Sequence, residues 1–227
     1  MKRGRIIALL SQKGGSGKTS VTMQLAAGLA ARRHRVVIGD LDPQESAWRW
    51  AAAAAPAAPF PARVVRPQGD ADALHGALRD IARGVDFVVL DCPPSIEHPH
   101  TLGALQASDL AVVPVVPSPT DLWSTRAVEH LILLRMAERP RLRAALLPNR
   151  VQRTGLAGDV LEVMHEFRLP VLAAALSQRN AYAQSAVAGV SVYQLGRAAL
   201  AARLEVEQLV DAVIQQLISD RPSGLSH

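Results

Sequence analysis

The sequence predicts an α/β fold: one mostly parallel, twisted sheet with helices on both faces. Three observations predict it. Short apolar runs alternate with amphipathic stretches along the chain. The apolar runs are continuous rather than alternating in and out, as in parallel strands covered on both faces. A glycine-rich turn joins the first apolar run to the first amphipathic stretch, as a strand–helix unit requires.

The elements follow in order. Arg5–Leu10 reads as a buried strand that ends in the glycine-rich turn. Lys18–Arg33 reads as a helix, with Val21, Leu25 and Leu29 on one face and Met23 and Ala26 nearby. Arg35–Gly39, Val85–Leu90 and Leu110–Val116 are further strands, Leu142–Leu147 a fifth, and Val171–Ala174 a weaker candidate. Helices fill Ala71–Arg83, Thr120–Arg139, Leu156–Phe167 and Arg197–Ile218. The Ala/Pro-rich stretch Ala51–Pro67 reads as a surface loop, because the strand–helix alternation resumes beyond it. Regular structure starts near Arg5, so residues 1–227 read as a single domain without an N-terminal helix-turn-helix.

Composition narrows the class. The chain has 227 residues, 49% hydrophobic and 20% charged, which is a globular balance rather than a disordered one. A chain of this length buries roughly 70% of its unfolded surface and needs no covalent staple. Its one cysteine, Cys92, excludes an intramolecular disulfide and a CxxC metal site, and reads as a buried small residue. The run Ile6–Leu10 is too short for a signal-peptide core, and Ala51–Pro61 is broken by three prolines. A cytoplasmic protein is expected. The formal net charge is +5, and of 25 basic residues only Lys2, Lys13 and Lys18 are lysines.

Two of those lysines lie in the glycine-rich turn, Ser11-Gln12-Lys13-Gly14-Gly15-Ser16-Gly17-Lys18-Thr19-Ser20. A phosphate-binding loop needs glycines so that backbone N–H groups can turn inward around the anion. It needs a lysine for the β/γ-phosphates, a Ser or Thr hydroxyl for Mg²⁺, and a helix N-terminus behind it. Gly14, Gly15, Gly17, Lys18 and Thr19 supply these, between a strand and a helix. The general pattern has glycine where this chain has Gln12, and Lys13 is an extra cation inside the loop.

With that lysine before the double glycine, the loop resembles the deviant Walker A motif of the ParA/MinD family of ATPases. Gln12 is closer to the ParA branch. Three further blocks carry the resemblance. Asp40-Leu41-Asp42-Pro43-Gln44 is similar to the family's second-strand motif DxDPQ. Phe87 to Ser95 is similar to its Walker B block, an apolar strand ending in Asp91. Leu110–Val116 and the following Pro117 to Leu122 are similar to its next strand and helix start.

The resemblance implies ATP and Mg²⁺ as cofactors and a slow, partner-stimulated ATPase. It implies that Lys18 and the loop residues Gly14 to Ser20, with Ser16 among them, bind phosphates. Thr19 ligates Mg²⁺, Asp91 holds the ion through a water, and Asp40 is a further support. Asp42 orients the attacking water. Glu45 stands where the family usually has glycine. Lys13 reaches a facing subunit, as an arginine finger does in trans, so that ATP closes a homodimer. Asn149, after the fifth strand, contacts the adenine. Of Trp48 and Trp50, two apart on one helix, one packs inside and the other is exposed or in a satellite cluster.

Partners follow from charge and from the resemblance. Arg135, Arg139, Arg141, Arg143, Arg150 and Arg153 form the densest basic run. ParA relatives bind nonspecific DNA through basic residues near the C-terminus. Arg179, Arg197 and Arg203 are the positions expected to do so here, in a nucleoid-associated dimer that a cargo-bound stimulator protein releases. Nonspecific binding needs only phosphate neutralisation and weakens steeply with salt. The membrane alternative, MinD-like, needs a basic amphipathic C-terminal helix. The stretch Val210–Asp220 carries Asp211 and Asp220 and no basic residue. A third reading is an ATP-dependent ligase or amidation enzyme of the same fold, which would require a small carboxylate substrate.

Overall fold

The structure, a computed structural model, describes residues 3–152 and 155–219. Lys2, Arg153 and Asp220 lie outside the described residues. Six strands form one parallel sheet: β1 Arg5–Leu9, β2 Val36–Asp40, β3 Arg63–Val65, β4 Phe87–Asp91, β5 Leu110–Val115 and β6 Arg143–Pro148. Their order is β3-β2-β4-β1-β5-β6, and every pairing is parallel. The register sets Asp40 beside Asp91 and Asp91 beside Leu9, which brings two acids and the glycine-rich turn together at the strand C-termini. Open parallel sheets place their ligands at that edge.

Eight α-helices are described: α1 Lys18–Ala31, α2 Ser46–Ala52, α3 Ala71–Ala82, α4 Pro99–Ala107, α5 Pro119–Glu138, α6 Gly155–Met164, α7 Asn180–Val187 and α8 Leu200–Ile218. Two short 3₁₀ turns, Val192–Gln194 and Gly196–Ala199, lead into α8. Alternate residues of β1 point to opposite faces, as the pleat requires. Ile7 and Leu9 meet α1, α2 and α8, whereas Ile6 and Ala8 meet α3, α4 and α5. Both cores are built mainly from buried aliphatic side chains, so the sheet is covered on both faces.

Four elements differ from the sequence expectation. The stretch Ala51–Pro67 is not only a loop: Arg63–Val65 is an edge strand paired with β2, and Phe60, Ala62 and Val64 are buried. Three residues set among prolines are too few to show a strand pattern. The helix α4 has no apolar periodicity; Pro99 starts it and His98 Nδ1 caps it by accepting from His100 N. The helix α7 is shorter still. The weak strand at Val171–Ala174 is a single bridge, Leu146 to Val171. Trp50 packs inside and donates from its indole to the Val190 carbonyl, and Trp48 is exposed with the Arg66 guanidinium 5.0 Å from its ring centroid.

Candidate nucleotide site

The helices α3 and α5 begin with side-chain caps. Asp70 accepts from Ala73 N at 2.9 Å, and Ser118 accepts from Asp121 N. The helix α1 has no side-chain cap and no acid in its first turn. Its N-terminal N–H groups are thus left for an anion. Gly17, just before the helix, has φ +85, a left-handed conformation that glycine tolerates best. A Cβ there would lie 2.4 Å from Asn149 Nδ2. At Gly14 and Gly15 a Cβ would meet nothing within 4 Å, so the cradle is open on that side.

Lys18 is buried and donates to Ser11 Oγ at 2.9 Å, and Ser16 Oγ donates to the same oxygen. Burial holds the Lys18 ammonium below the ordinary lysine range, against the pull of Asp91. Thr19 Oγ1 donates to Asp91 Oδ2 at 2.7 Å. Burial pushes the Asp91 carboxyl up to about 7, with the neighbouring charge of Asp40 adding to the rise. Its Oδ1 is buried and without a hydrogen-bond partner. These residues fit a hydrated Mg²⁺ carrying phosphates. A cation and its water would satisfy the orphaned Oδ1, and anionic phosphates would favour the charged form of Lys18.

Asp40 is buried and organises the turn after β2, accepting from Asp42 N at 3.2 Å and from Trp48 N at 2.8 Å. Asp42 is half-buried and accepts only from Gln44 N, at 2.9 Å, among the described residues. Glu45 has φ 55, so a side chain occupies the left-handed conformation expected of glycine there, and it pairs with Arg66. Cys92 is buried.

Asn149 is also buried, and its side-chain amide donates to Ser16 O at 2.7 Å. It thereby fixes the phosphate loop as well as lining the cavity beside it. That cavity, about 400 Å³, is bounded by Gly17, Ser20, Asn149, Arg150, Arg179 and Tyr182 among others. Ser20 faces this cavity rather than the Thr19–Asp91 pair. Lys13 turns away from Lys18 and donates to Thr120 O at 2.8 Å in an exposed position.

Sequence reasoning missed two residues. Gln12 Oε1 accepts from Ile96 N at 2.9 Å and straps the loop after β4 to the phosphate loop. Its departure from the general glycine was the available signal. Glu205, on α8, accepts from Ser177 Oγ, from Arg179 Nε and Nη2, and from the Tyr182 hydroxyl, all at 2.7–2.9 Å. Nothing local in the sequence marks it.

The expected DNA residues are not equivalent. Arg179 is held by Glu205, whereas Arg197 and Arg203 are exposed, with Arg203 5.1 Å from the Tyr193 ring centroid. The dense basic run is dispersed. Arg135 pairs with Glu138, Arg139 donates to Leu105 O, and Arg143 donates to Gln216 O. Among the described residues no helix is long and apolar enough to cross a membrane.

The geometry agrees with comparison to known proteins. The chain is 32% identical over 209 residues to the "Maintenance of carboxysome distribution protein A" of Halothiobacillus neapolitanus, covering 92% of this chain and 95% of that one. Its fold matches that of apo McdA from Cyanothece with a TM-score of 0.75 at 16% identity, covering 92% and 99% of the two chains. It also matches cobyrinic acid a,c-diamide synthase of Mycobacterium smegmatis, solved with an ATP analogue and magnesium. That TM-score is 0.73 at 23% identity, covering 96% and 97%. The family profile described as the CobQ/CobB/MinD/ParA nucleotide binding domain matches residues 7–192, and this chain belongs to that family.

Proposed function

We propose that this chain is a ParA-type positioning ATPase, a single domain that hydrolyses ATP to ADP and phosphate. It closes into a homodimer around ATP and, in that form, binds nonspecific DNA on the nucleoid. A cargo-bound protein stimulates hydrolysis and releases it. The similarity to a carboxysome-distribution protein along nearly the whole chain favours a protein assembly of that kind as the cargo. The observation that carries the reading is the pair of lysines in one loop. Lys18 is buried inside the loop against Ser11, while Lys13 turns outward to Thr120.

In this reading Lys18 and the N–H groups of α1 bind the phosphates. Thr19 and Asp91 hold Mg²⁺, which neutralises phosphate charge, with Asp40 fixing the adjacent turn. Asp42, whose carboxylate is only partly engaged, orients the attacking water. The adenosine lies in the cavity beside Gly17 and Asn149. Lys13 leaves Thr120 and neutralises the phosphates of a facing subunit, offsetting the repulsion of two polyphosphates.

The test is Lys13→Ala. The variant is expected to bind ATP but to lose ATP-dependent dimerisation and hydrolysis. Dimerisation and turnover equal to wild type would overturn the trans role. A ligase would show turnover only with a small carboxylate. A positioning ATPase is slow alone and faster with DNA and its partner.

A further inference from the structure

His100 stands on the first turn of α4, a helix that contributes nothing to the phosphate loop. The residue is half-buried, and both ring nitrogens are engaged. Nδ1 lies 3.0 Å from Leu41 O, and Nε2 lies 3.2 Å from Gly69 O. Both partners are carbonyl oxygens, so a ring nitrogen bonds to either only as an N–H donor. One imidazole thus ties together the start of α4, the turn after β2 and the residue before Asp70, the cap of α3. The base of the ring is fixed. His98 Nδ1 accepts from His100 N at 3.1 Å, and Thr101 Oγ1 donates to Ser95 O at 2.7 Å. Farther along, a Cβ on Gly103 would lie 2.9 Å from Ala71 O, so α4 sits close against α3.

The Leu41 end bears on the chemistry. Leu41 O and the Asp42 N–H belong to one planar peptide group. That N–H donates to Asp40 Oδ1 at 3.2 Å, while the carbonyl accepts from His100. On the other side of the residue, Leu41 N donates to Asp91 O at 2.9 Å. The peptide that leads into Asp42 is therefore gripped at both ends, by a carboxylate of its own turn and by an imidazole from another helix. The Asp42 carboxylate has little else to direct it, since it accepts only from Gln44 N among the described residues. Resting on the reading of Asp42 as the residue that orients the attacking water, we propose that His100 is a positioning residue for hydrolysis. Its Nδ1–H fixes the Leu41–Asp42 peptide, and through it the aim of the Asp42 carboxylate. The Nε2 contact with Gly69 anchors the ring.

The experiment uses the full chain with Mg²⁺. Single-turnover hydrolysis of radiolabelled ATP by excess protein gives the rate of the chemical step, and equilibrium binding gives ATP affinity. His100→Ala should lower the rate roughly tenfold or more and leave affinity unchanged. Two amide variants separate the ring's two contacts. His100→Asn places an amide nitrogen near Nδ1, can still donate to Leu41 O, and should recover most of the rate. His100→Gln places it near Nε2, keeps the Gly69 contact, and should not. This contrast stands even if His100→Ala folds poorly. A wild-type rate in His100→Ala, or equal rates in the Asn and Gln variants, overturns the inference. A rate loss matched by a loss of ATP affinity in all three variants makes His100 purely structural and overturns it too. Asp42→Asn, measured alongside, tells the two failures apart. If Asp42→Asn hydrolyses ATP like wild type, the reading of Asp42 fails and the inference falls with it. If Asp42→Asn is inactive and the His100 contrast is missing, only the inference fails.

Discussion

The side-chain amide of Asn149 donates to the carbonyl oxygen of Ser16 at 2.7 Å, with both residues buried. A residue at the end of β6 thereby fixes the backbone of a loop that follows β1. The cavity beside Gly17 and the glycine-rich loop share this one amide. Gly17 completes the arrangement, because a Cβ there would strike the same nitrogen. Gly17→Ala is expected to lower ATP affinity at least tenfold, by displacing Asn149 and straining a left-handed backbone. Asn149→Ala should cost about 1–2 kcal/mol of stability from the lost buried hydrogen bond. Adding Asn149→Ala to Gly17→Ala relieves the clash but not the backbone strain, so recovery of affinity should be partial. Binding of a fluorescent ATP analogue by the four proteins checks this. Full additivity of the two changes would sink the coupling.

Asp91 predicts a trade between stability and ligand response. Burial raises its carboxyl to about 7, and one oxygen has no partner. In the nucleotide-free protein at pH 8 this buried charge is a cost. Asp91→Asn should therefore raise the melting temperature of the free protein, by a gain on the order of 1–3 kcal/mol. The same variant should lose most of the added stabilisation that Mg²⁺ confers with ATP. Calorimetry with ATP, with and without Mg²⁺, reads both effects. A variant less stable than wild type without ligand would contradict the argument.

How much of this was legible in sequence depends on range. The phosphate loop, Asp42 and Asp91 sit in contiguous blocks next to strong strands, so local pattern found them. Glu205 was not legible. Its partners Ser177, Arg179 and Tyr182 come from another segment, and only the packing of α8 brings them together. The same packing changed the meaning of Arg179, which by sequence was expected to contact DNA and is instead held by Glu205. The strand β3 was hidden because three residues among prolines carry no period. The left-handed Glu45 was legible as an oddity, since glycine was expected there, but its Arg66 partner was not.

Glu205 gives a pH prediction. Burial works to raise its carboxyl, but hydrogen bonds from Arg179, Ser177 and Tyr182 outweigh it and hold the group below the ordinary glutamate range. A depressed acid contributes stability above its unfolded value, near 4.5, and loses it as pH falls through the lower folded value. Glu205→Gln should cost about 1–3 kcal/mol at pH 7. The deficit should shrink below pH ~4.5 as the wild type loses its own contribution. Urea denaturation at several pH values measures it. A deficit that stays constant down to pH 3 would exclude the linkage.

Glu45 predicts a gain. A non-glycine residue at φ 55 costs roughly 1 kcal/mol relative to glycine, while the half-exposed Arg66 pair returns no more than about 0.5 kcal/mol. Glu45→Gly should thus be as stable as wild type or up to about 1 kcal/mol more so. Glu45→Ala keeps the strain and loses the pair, so it should be the least stable of the three. Chemical denaturation ranks them, and Glu45→Gly falling below Glu45→Ala would refute the strain.

The arginines predict an order rather than a uniform loss. Arg197 and Arg203 are exposed and have no ion-pair partner among the described residues, so either can meet a phosphate without breaking an ion pair. Arg179 must leave a two-nitrogen grip on Glu205, at 2.9 and 2.7 Å, to do the same. If the ATP-bound protein binds DNA through this surface, Arg203→Ala and Arg197→Ala should each lower affinity and reduce the salt slope by about 0.9. Arg179→Ala should leave the salt slope nearly unchanged and act mainly through stability, as Glu205→Gln does. Arg203 carries a second role, because its guanidinium lies over Tyr193, whose hydroxyl donates to Glu207 at 2.8 Å. Arg203→Lys keeps the charge and weakens the stacking, so it should retain most DNA affinity. Titrations on a nonspecific duplex across a salt series, with ATP and with ADP, separate these cases. A salt slope lowered by Arg179→Ala and untouched by Arg203→Ala would invert the assignment and place the DNA at the mouth of the nucleotide cavity.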